Sequence, residues 1–306
     1  MKILVTGGAG FIGSHIADAC VQAGHEVIVV DDLSSGRVEN VNEGARLERM
    51  DIRSPEAAQL IMDERPDLID HHAAQMNVRR SVDDPGFDAE VNVLGFVNLL
   101  EAARNAGCRR VVFASSGGAV YGEPERFPTD ETEPLRPICP YGVSKLAGEQ
   151  YLFYYQRVHG LRYVALRYAN VYGPRQDPHG EAGVVAIFSQ RLLGGQGVLI
   201  NDDGLQTRDY VFVGDVVAAN LAAFSSDYTG AVNIGTGVET SVVALYESIK
   251  AQVGAGGTAE HGPAKGGEIR RSALDASRAE RELGWRPGVS LDEGLGRTVE
   301  YFSSRV

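Results

Sequence analysis

The chain has 306 residues, of which 43% are hydrophobic and 23% are charged. These values are ordinary for a globular protein and argue against a disordered or fibrous chain, while the length allows one large or two modest domains. The formal net charge of −12 and the lack of a Lys/Arg run argue against nucleic acid as a partner, because a phosphate backbone would be repelled.

The three cysteines, Cys20, Cys108 and Cys139, are scattered along the chain. This pattern suits a reducing compartment better than a disulfide framework or a thiolate metal site. The apolar start at Met1 is soon interrupted by glycines, and no long apolar run follows, so we expect neither a signal peptide nor a membrane partner. The composition thus predicts a soluble, cytoplasmic protein.

The chain opens on MKILVTGGAGFIGSHI, in which an apolar strand pattern runs into a glycine-rich turn and then a helical pattern. Gly7 allows a sharp turn, Gly10 removes a Cβ that would block a pyrophosphate, and Gly13 lets the helix pack close to the strand. The unpaired N–H groups at the helix start, near Phe11 and Ile12, then face the phosphates. This order of elements predicts a dinucleotide-binding site.

The next apolar run, Val27–Val30, predicts a buried strand, and Asp31 ends it. A carboxylate at this point can accept hydrogen bonds from both hydroxyls of an adenosine ribose, and it would repel a 2′-phosphate. The position therefore favours NAD over NADP. Two alternatives stay open: Asp31 is an ordinary acid of the turn DDLSSG, or Arg37 accommodates a 2′-phosphate.

Later apolar runs at Asp67–His72, Arg110–Ser115 and Arg162–Tyr168 are separated by helical patterns such as Asp88–Asn105. This alternation predicts an α/β protein with a doubly wound parallel sheet of the Rossmann type. Beyond Tyr172 the alternation weakens into short strands and helices, which predicts a smaller α/β substrate lobe.

We expect these two parts to be interleaved along the chain. The dinucleotide-binding domain is predicted over 1–172 and is rejoined by about 209–236, where helix and strand patterns return. The substrate lobe then takes 173–208 and 237–306.

Tyr141 and Lys145 lie four residues apart at the start of a helix that Pro140 can open and Gly160 can close. Their side chains therefore project from one face. An ammonium group beside a phenol favours the phenolate, so we expect a lowered pKa for Tyr141 and a role as general base. The helix N-terminus adds positive potential in the same direction.

Taken together, TGGAGFIG, the strand-ending Asp31, SSGGAVYG and YGVSK resemble the extended short-chain dehydrogenase/reductase superfamily. The later segments RYANVYGPRQ, RDYVFVGDV and NIGTG extend the resemblance nearly end to end. Within that superfamily the chain is most similar to nucleotide-sugar 4-epimerases of the UDP-glucose 4-epimerase type. The resemblance implies an isomerase with NAD as cofactor, a nucleotide sugar, UDP-linked, as substrate, and a homodimer paired through the helices Asp88–Asn105 and Tyr141–His159.

The resemblance also implies the cofactor site. Asp51 and Ile52 would flank the adenine, Asn92 would lie beneath the cofactor, and Tyr168 would lie near the nicotinamide carboxamide. Lys145 would bond the nicotinamide ribose. The full set of cofactor-binding residues expected is Gly7, Gly10, Phe11, Ile12, Gly13, Asp31, Asp32, Ser35, Gly36, Asp51, Ile52, Ala73, Ala74, Gln75, Asn92, Ser115, Tyr141, Lys145 and Tyr168.

For the substrate, the resemblance implies that Asn170 and Arg208 meet the diphosphate. Lys265 stands where the family usually has an Arg, so a guanidinium that binds phosphate through two nitrogens is replaced by a single ammonium group. Arg270 and Arg271 are alternative phosphate ligands. Glu268 would hold the nucleoside ribose, and the small Ser272 would leave room for an N-acetyl group. The full substrate-binding set expected is Asn170, Val185, Arg208, Lys265, Glu268 and Ser272.

The loop SSGGAVYG departs from the epimerase pattern. Many epimerases have Ser or Thr where Gly117 stands, and that hydroxyl relays the proton between the sugar O4 and the tyrosine. Here Ser116 or a water takes that role, or Tyr141 reaches the sugar directly; Ser115 and Ser116 are therefore catalytic candidates with Tyr141 and Lys145. The loop also lacks the carboxylates of the related 4,6-dehydratases and glucuronate decarboxylases, which leaves reversible oxidation and reduction as its chemistry.

Several alternatives remain open. The sugar can be glucose/galactose, the N-acetylamino forms or glucuronate/galacturonate, and the chain can be another 4-keto-forming enzyme, such as a reductase or dehydratase, or a non-catalytic NAD-sensing protein. No metal site is predicted, because the adjacent His71 and His72 on a strand point to opposite faces.

Overall fold

The computed structural model describes residues 1–178, 183–254, 259–263 and 269–305. Its strands are β1 (Lys2–Thr6), β2 (Glu26–Asp31), β3 (Ala45–Arg49), β4 (Leu68–His71), β5 (Arg110–Ser116), β6 (Arg162–Tyr168), β7 (Asn170–Tyr172), β8 (Val198–Asn201), β9 (Thr207–Arg208), β10 (Tyr210–Phe212), β11 (Gly230–Ile234), β12 (Thr240–Ser241) and β13 (Ala259–Gly262). Its helices are α1 (Phe11–Gln22), α2 (Pro55–Glu64), α3 (Val78–Asp83), α4 (Pro85–Ala89), α5 (Gly95–Ala106), α6 (Gly117–Val120), α7 (Pro140–His159), α8 (Val184–Leu193), α9 (Val213–Ser225), α10 (Val242–Val253), α11 (Ser277–Leu283) and α12 (Leu291–Ser303). None of the described helices is long and apolar enough to cross a membrane.

The central sheet has seven strands in the order β11-β6-β5-β4-β1-β2-β3, and all of its pairings are parallel. Helices cover both faces. Ile3 and Val5 of β1 pack with Ile16 of α1, whereas Leu4 packs on the opposite face with Phe96 of α5. Burial on both faces explains why the strands read as unbroken apolar runs. The predicted doubly wound Rossmann-type sheet is confirmed.

The strand order reverses at β1, where β2 lies on one side and β4 on the other. Gly7 follows β1 directly with φ +68°, and a Cβ on it would lie 2.6 Å from the nitrogen of Ala73. No larger residue fits there, so the chain after β1 and the chain after β4 can approach closely. In such sheets the crevice at the carboxyl ends of the strands beside this reversal is the usual ligand site.

The two edges of the sheet depart from a simple sequence pattern. β3 was not predicted, because the charged Arg46, Glu48 and Arg49 leave it little apolar periodicity. At the other edge β11 returns late in the chain and pairs with β6 from Gly230 to Ile234. The exact division into two lobes stays a prediction.

A third apolar core lies apart from the two beside the sheet. It is built around Tyr172, Phe188, Leu245 and Leu295, and it joins α8, α10 and α12. Helix–helix packing of this kind gives the later part of the chain a centre of its own.

The buried carboxylate of Asp209 joins distant segments of the chain. It accepts hydrogen bonds from the backbone nitrogens of Thr236 (2.9 Å), Gly237 (3.0 Å) and Leu274 (3.1 Å). A buried carboxylate needs such donors, because an unsatisfied one is costly. Asp209 therefore fastens the loop after β11 and the segment at Leu274 to the chain between β9 and β10.

Candidate active site

A cavity of about 1500 Å³ lies at the carboxyl ends of the strands, beside the reversal at β1. Most of the predicted site residues line it, although they come from separate parts of the chain. Those residues are Gly7, Gly10, Phe11, Ile12, Gly13, Asp31, Asp32, Ser35, Asp51, Ile52, Ala73, Ala74, Gln75, Ser115, Ser116, Tyr141, Lys145, Tyr168, Asn170, Arg208 and Ser272. Three other predicted residues, Gly36, Asn92 and Val185, do not line it. Lys265 and Glu268 lie outside the described residues.

The glycine turn has the form of a phosphate cradle. The Gly10 nitrogen donates to the Gly7 oxygen at 3.1 Å, and α1 begins at Phe11. A Cβ on Gly13 would lie 2.3 Å from the Gly7 oxygen, so no side chain is possible there. The helix start has no side-chain cap, which leaves its N–H groups facing the cavity for an anion.

Asp31 sits at the end of β2 with its carboxylate held by the backbone. Oδ2 accepts from the Ala9 nitrogen and Oδ1 from the Leu33 nitrogen, each at 2.9 Å. Burial raises the pKa of Asp31, and these two bonds oppose that rise. Each oxygen keeps a second lone pair that a ribose hydroxyl could use. Gly36 packs directly against this carboxylate, since a Cβ on it would lie 2.7 Å from Oδ1 of Asp31.

Helix α7 begins at Pro140 and ends before Gly160, which has φ +74°, as the sequence predicts. Tyr141 and Lys145 both face the cavity. The Lys145 Nζ lies 5.7 Å from the centre of the Tyr141 ring and 5.0 Å from that of Phe113. The ammonium therefore lies close to the phenol ring.

The expectation of a lowered pKa for Tyr141 is wrong in this structure. Burial raises the pKa of Tyr141 to about 12, although a hydrogen bond from Ser116 lowers it. Burial also lowers the pKa of Lys145 to about 8, against the field of Asp88. The reason is common to both groups: each would carry its charge in an apolar enclosure, and desolvation outweighs their mutual attraction.

The two serines at the end of β5 have different surroundings. Ser115 donates to Glu149 Oε1 at 2.6 Å, and Glu149 is paired with Arg167 inside the protein. Ser116 instead lines the cavity beside Tyr141, and its hydroxyl lowers the pKa of that phenol. The structure therefore favours Ser116 over Ser115 as the partner of the tyrosine.

Gly117 packs tightly against Leu274. A Cβ on Gly117 would lie 2.4 Å from Leu274 Cδ1, and Gly117 does not line the cavity, although Gly118 does. A side chain at 117 would thus require the Leu274 side chain to shift. The glycine is explained by packing against Leu274.

Asn92 supports the wall of the cavity from behind. It lies in the π-helical turn Glu90–Leu94, between α4 and α5, where the sequence predicted one regular helix. Its Oδ1 accepts from the Gln75 nitrogen at 2.8 Å, and its Nδ2 donates to the Gln75 oxygen at 2.9 Å. The amide thereby fixes the backbone of a residue that does line the cavity.

On the side opposite the glycine turn, Asn170, Arg208 and Ser272 line the cavity. Val185 does not, because it is buried in the core of α8. Two further alternatives for a phosphate ligand are occupied elsewhere, as Arg270 binds Asp203 and Arg271 binds Glu239, in both cases through two nitrogens. Neither arginine lines the cavity.

Sequence reasoning missed His72 and Asp88. His72 lines the cavity, and its Nε2 lies 3.1 Å from the Tyr168 hydroxyl, while His71 lies on the other face against Phe96. No group of three His, Cys, Asp or Glu residues among the described ones could hold a metal ion. Asp88 is buried beside Lys145 and carries no motif signal, because its importance depends on which residues the fold brings to it.

Comparison with known proteins agrees with this site. The model of the NAD dependent epimerase/dehydratase family matches residues 3–235, and the chain belongs to this family. A UDP-glucose 4-epimerase from Mycolicibacterium smegmatis is 50% identical over 311 residues, which cover 100% of this chain and 99% of the relative.

Two solved structures are similar over their full length. A UDP-glucose 4-epimerase from Thermotoga maritima, determined with UDP-glucose, has a TM-score of 0.98 and 49% identity, covering 100% of this chain and 99% of that one. A UDP-glucose 4-epimerase from Thermus thermophilus, determined with NAD, has a TM-score of 0.94 and 46% identity, with 100% of both chains covered. The resemblance read from the sequence is confirmed.

Proposed function

We propose that this member of the NAD dependent epimerase/dehydratase family is an NAD-dependent 4-epimerase that interconverts UDP-glucose and UDP-galactose. One observation carries the proposal: Tyr141, Ser116 and Lys145 meet in the same cavity as the glycine turn and Asp31. The full-length similarity to UDP-glucose 4-epimerases supports the choice of substrate.

The cavity fits NAD on its own chemistry. The absent Cβ of Gly13 lets α1 start in close contact with the glycine turn, and the start of α1 offers N–H groups for a pyrophosphate. Asp31 provides an anionic acceptor for ribose hydroxyls. Bound NAD would supply the acceptor and later donor of the C4 hydride, together with a positive charge that favours the phenolate.

Tyr141 performs the proton transfer in this proposal. As the C4–H bond breaks, the proton on O4 passes to the phenolate, and Ser116 can relay it because it lines the cavity beside Tyr141. The sugar is left as a 4-keto compound and turns its other face, and it takes the hydride back at C4 while Tyr141 returns the proton to O4. Lys145 holds positive charge near the phenol throughout.

The loop after Ser116 has no carboxyl side chain that could catalyse elimination of water from the sugar. Residues Gly117, Gly118 and Ala119 follow Ser116 without a carboxylate, and Gly117 packs against Leu274. The cavity therefore supports a reversible oxidation and reduction of the sugar, in which the cofactor returns to its starting oxidation state.

The test is to incubate the purified protein with UDP-glucose, UDP-galactose, UDP-N-acetylglucosamine and UDP-glucuronate, without added cofactor, and to separate the products. We expect conversion of UDP-glucose and UDP-galactose to a common mixture. Tyr141→Phe is the matched variant, and a loss of about 10²–10⁴-fold is expected because it removes the acid–base group alone. Loss of water, net consumption of NAD(P)H, or unchanged turnover in Tyr141→Phe would overturn the proposal.

We also propose that the chain works as a homodimer in the cytoplasm. Large apolar side chains of α7 are exposed, including Val143, Phe153, Tyr154 and Val158, and Leu94 beside α5 is exposed as well. A helix that faces only its own sheet needs one apolar stripe, so this second face suits a partner copy. The free cysteines support a reducing compartment.

A further inference from the structure

Lys145 is a buried cation without a contacting anion. The residue is 4% exposed, and no ion pair joins its Nζ to a carboxylate among the described residues. Its Nζ lies over the ring faces of Phe113 and Tyr141. An ammonium in such a place loses its proton readily unless some negative charge acts on it from nearby.

Asp88 is a buried carboxylate without a contacting cation among the described residues. It is fully buried and accepts three hydrogen bonds, all from neutral groups. Ser144 Oγ donates to Oδ2 at 2.5 Å, and Gln75 Nε2 and Asn92 Nδ2 donate to Oδ1 at 2.9 and 3.0 Å. The carboxylate is thereby held in one position by three donors from separate parts of the chain.

The two charges lie on packed elements. Ser144, which donates to Asp88, directly precedes Lys145 on α7, while Asp88 belongs to α4, which packs on α7. Asp88 is the acid whose field acts on Lys145, and the same field reaches Tyr141. Opposite charges that are both buried interact strongly even without contact, because little solvent screens them.

We propose that Asp88 is a positioning residue for catalysis: its hydrogen bonds to Ser144 and Gln75 tie the start of α7 to the cavity wall and hold a carboxylate next to the helical turn that carries Lys145. The inference rests on the proposed function, since Lys145 acts there as the ammonium beside the general base. It adds a residue that touches neither cofactor nor substrate, because Asp88 does not line the cavity.

Other titratable groups surround Lys145 and must be separated from Asp88 in a test. They are His71 and His72 at the end of β4, whose pKa values burial and Lys145 both lower, Tyr141 on α7, and Cys139 beside it. The two histidines are held neutral, so they supply no counter-charge.

The experiment is an NMR titration of the lysine side chains, labelled at Cε, in the purified chain. The protein has four lysines, so the Lys145 resonance can be assigned by its loss in Lys145→Met. In Asp88→Asn we expect the Lys145 midpoint to fall by about one pH unit, because a buried negative charge is removed from its vicinity. Asp84→Asn is the matched control: it makes the same charge change on an exposed N-cap next to α4 and should leave Lys145 unmoved.

Asp88→Glu should restore the parent titration, because it keeps the charge. If Asp88→Asn does not fold, Asp88→Ser removes the charge with a smaller side chain and is titrated in its place. An unmoved Lys145 midpoint in the folded neutral variant overturns the proposal.

Enzyme kinetics give the second readout. Loss of Asp88 lowers the pKa of Lys145 and also that of Tyr141, so both limbs of the kcat/KM profile should move to lower pH together. A merely structural role would lower the height of the profile without moving it. If the parent chain shows no epimerase activity, the proposed function fails, while the NMR titration still decides the role of Asp88.

Discussion

The Ser115 hydroxyl donates a 2.6 Å hydrogen bond to the Glu149 carboxylate, and both side chains are buried. Glu149 also binds Arg167, whose NH1 donates to the Tyr121 hydroxyl. The first serine of the loop is thus part of a buried polar network, and such groups are costly to leave unpaired. Its neighbour Ser116 is the serine that contacts Tyr141.

This difference predicts opposite effects of two similar substitutions. Ser115→Ala should lower the free energy of unfolding by about 1–3 kcal/mol, because it removes a donor from a buried carboxylate, with little change in kcat. Ser116→Ala should lower kcat by about 10²-fold and leave stability nearly unchanged. Urea unfolding and steady-state kinetics on both variants test this; a larger kcat loss in Ser115→Ala would reverse the assignment.

The carboxylate of Asp31 predicts the identity of the retained cofactor. Denaturing the purified protein should release NAD(H) and not NADP(H). Asp31→Ala should weaken NAD binding by about 10–100-fold, since hydrogen bonds to a charged acceptor contribute about 1.5–3 kcal/mol. Calorimetry measures the affinity, with the exposed Glu39→Ala as control. Stoichiometric NADP(H) in the extract would show that Arg37 outweighs the carboxylate.

The buried Lys145 predicts a stability that depends on pH. Its pKa is about 8 in the folded chain against 10.5 for the free group, so the unfolded chain binds more protons between these values. Stability therefore rises with pH over this window, and the cost of the buried charge, about 3 kcal/mol, is fully present below pH 8.

Lys145→Met should consequently be more stable than the parent at pH 7, with an advantage that shrinks toward pH 10.5. Urea unfolding at the two pH values measures it, and Lys250→Met on α10 controls for the loss of a lysine. An advantage that does not change with pH would argue that packing, and not the charge, is responsible.

Ser272 predicts the breadth of sugars accepted. It lines the cavity as a small side chain, so UDP-N-acetylglucosamine should be converted alongside UDP-glucose. Ser272→Tyr should exclude the N-acetylated sugar selectively, because overfilling the space costs about 1–3 kcal/mol, or roughly tenfold or more in relative kcat/KM. Equal losses on both sugars, or no N-acetyl activity in the parent, would refute this role.

The exposed apolar face of α7 predicts the oligomeric state. Light scattering at micromolar concentration should give the mass of a dimer, and Phe153→Asp should give a monomer, since a charge cannot be buried there unpaired. Val238→Asp is the control, because Val238 is equally exposed and lies away from α7. A monomeric parent would contradict the proposal.

Local signals made much of this site predictable. The glycine turn, the strand-ending Asp31 and the helix from Pro140 to Gly160 depend on neighbouring residues alone, and the structure has each of them in place. The apolar runs likewise predicted the buried strands, but the charged edge strand β3 has too few apolar residues to be predicted in this way.

The rest depends on contacts between residues far apart in the chain. Gly117 is explained by Leu274, and the raised pKa of Tyr141 by burial that only the folded chain creates. Asn92 acts through Gln75 and not through the cavity. No sequence motif predicts these contacts, because the fold of the sheet brings the partners together from positions far apart in the chain.

β11 joins the central sheet from a late part of the chain, and Asp209 is hydrogen-bonded to two distant loops. Both features limit how the substrate specificity of such a protein can change. The segments after Tyr172 cannot be exchanged as a whole without replacing β11, an edge strand of the central sheet, and an exchange of 237–306 alone would remove the donors Gly237 and Leu274 from the buried Asp209 carboxylate. Lineages built on this chain would therefore acquire new sugar preferences by single substitutions around the cavity, and not by recombination of whole modules.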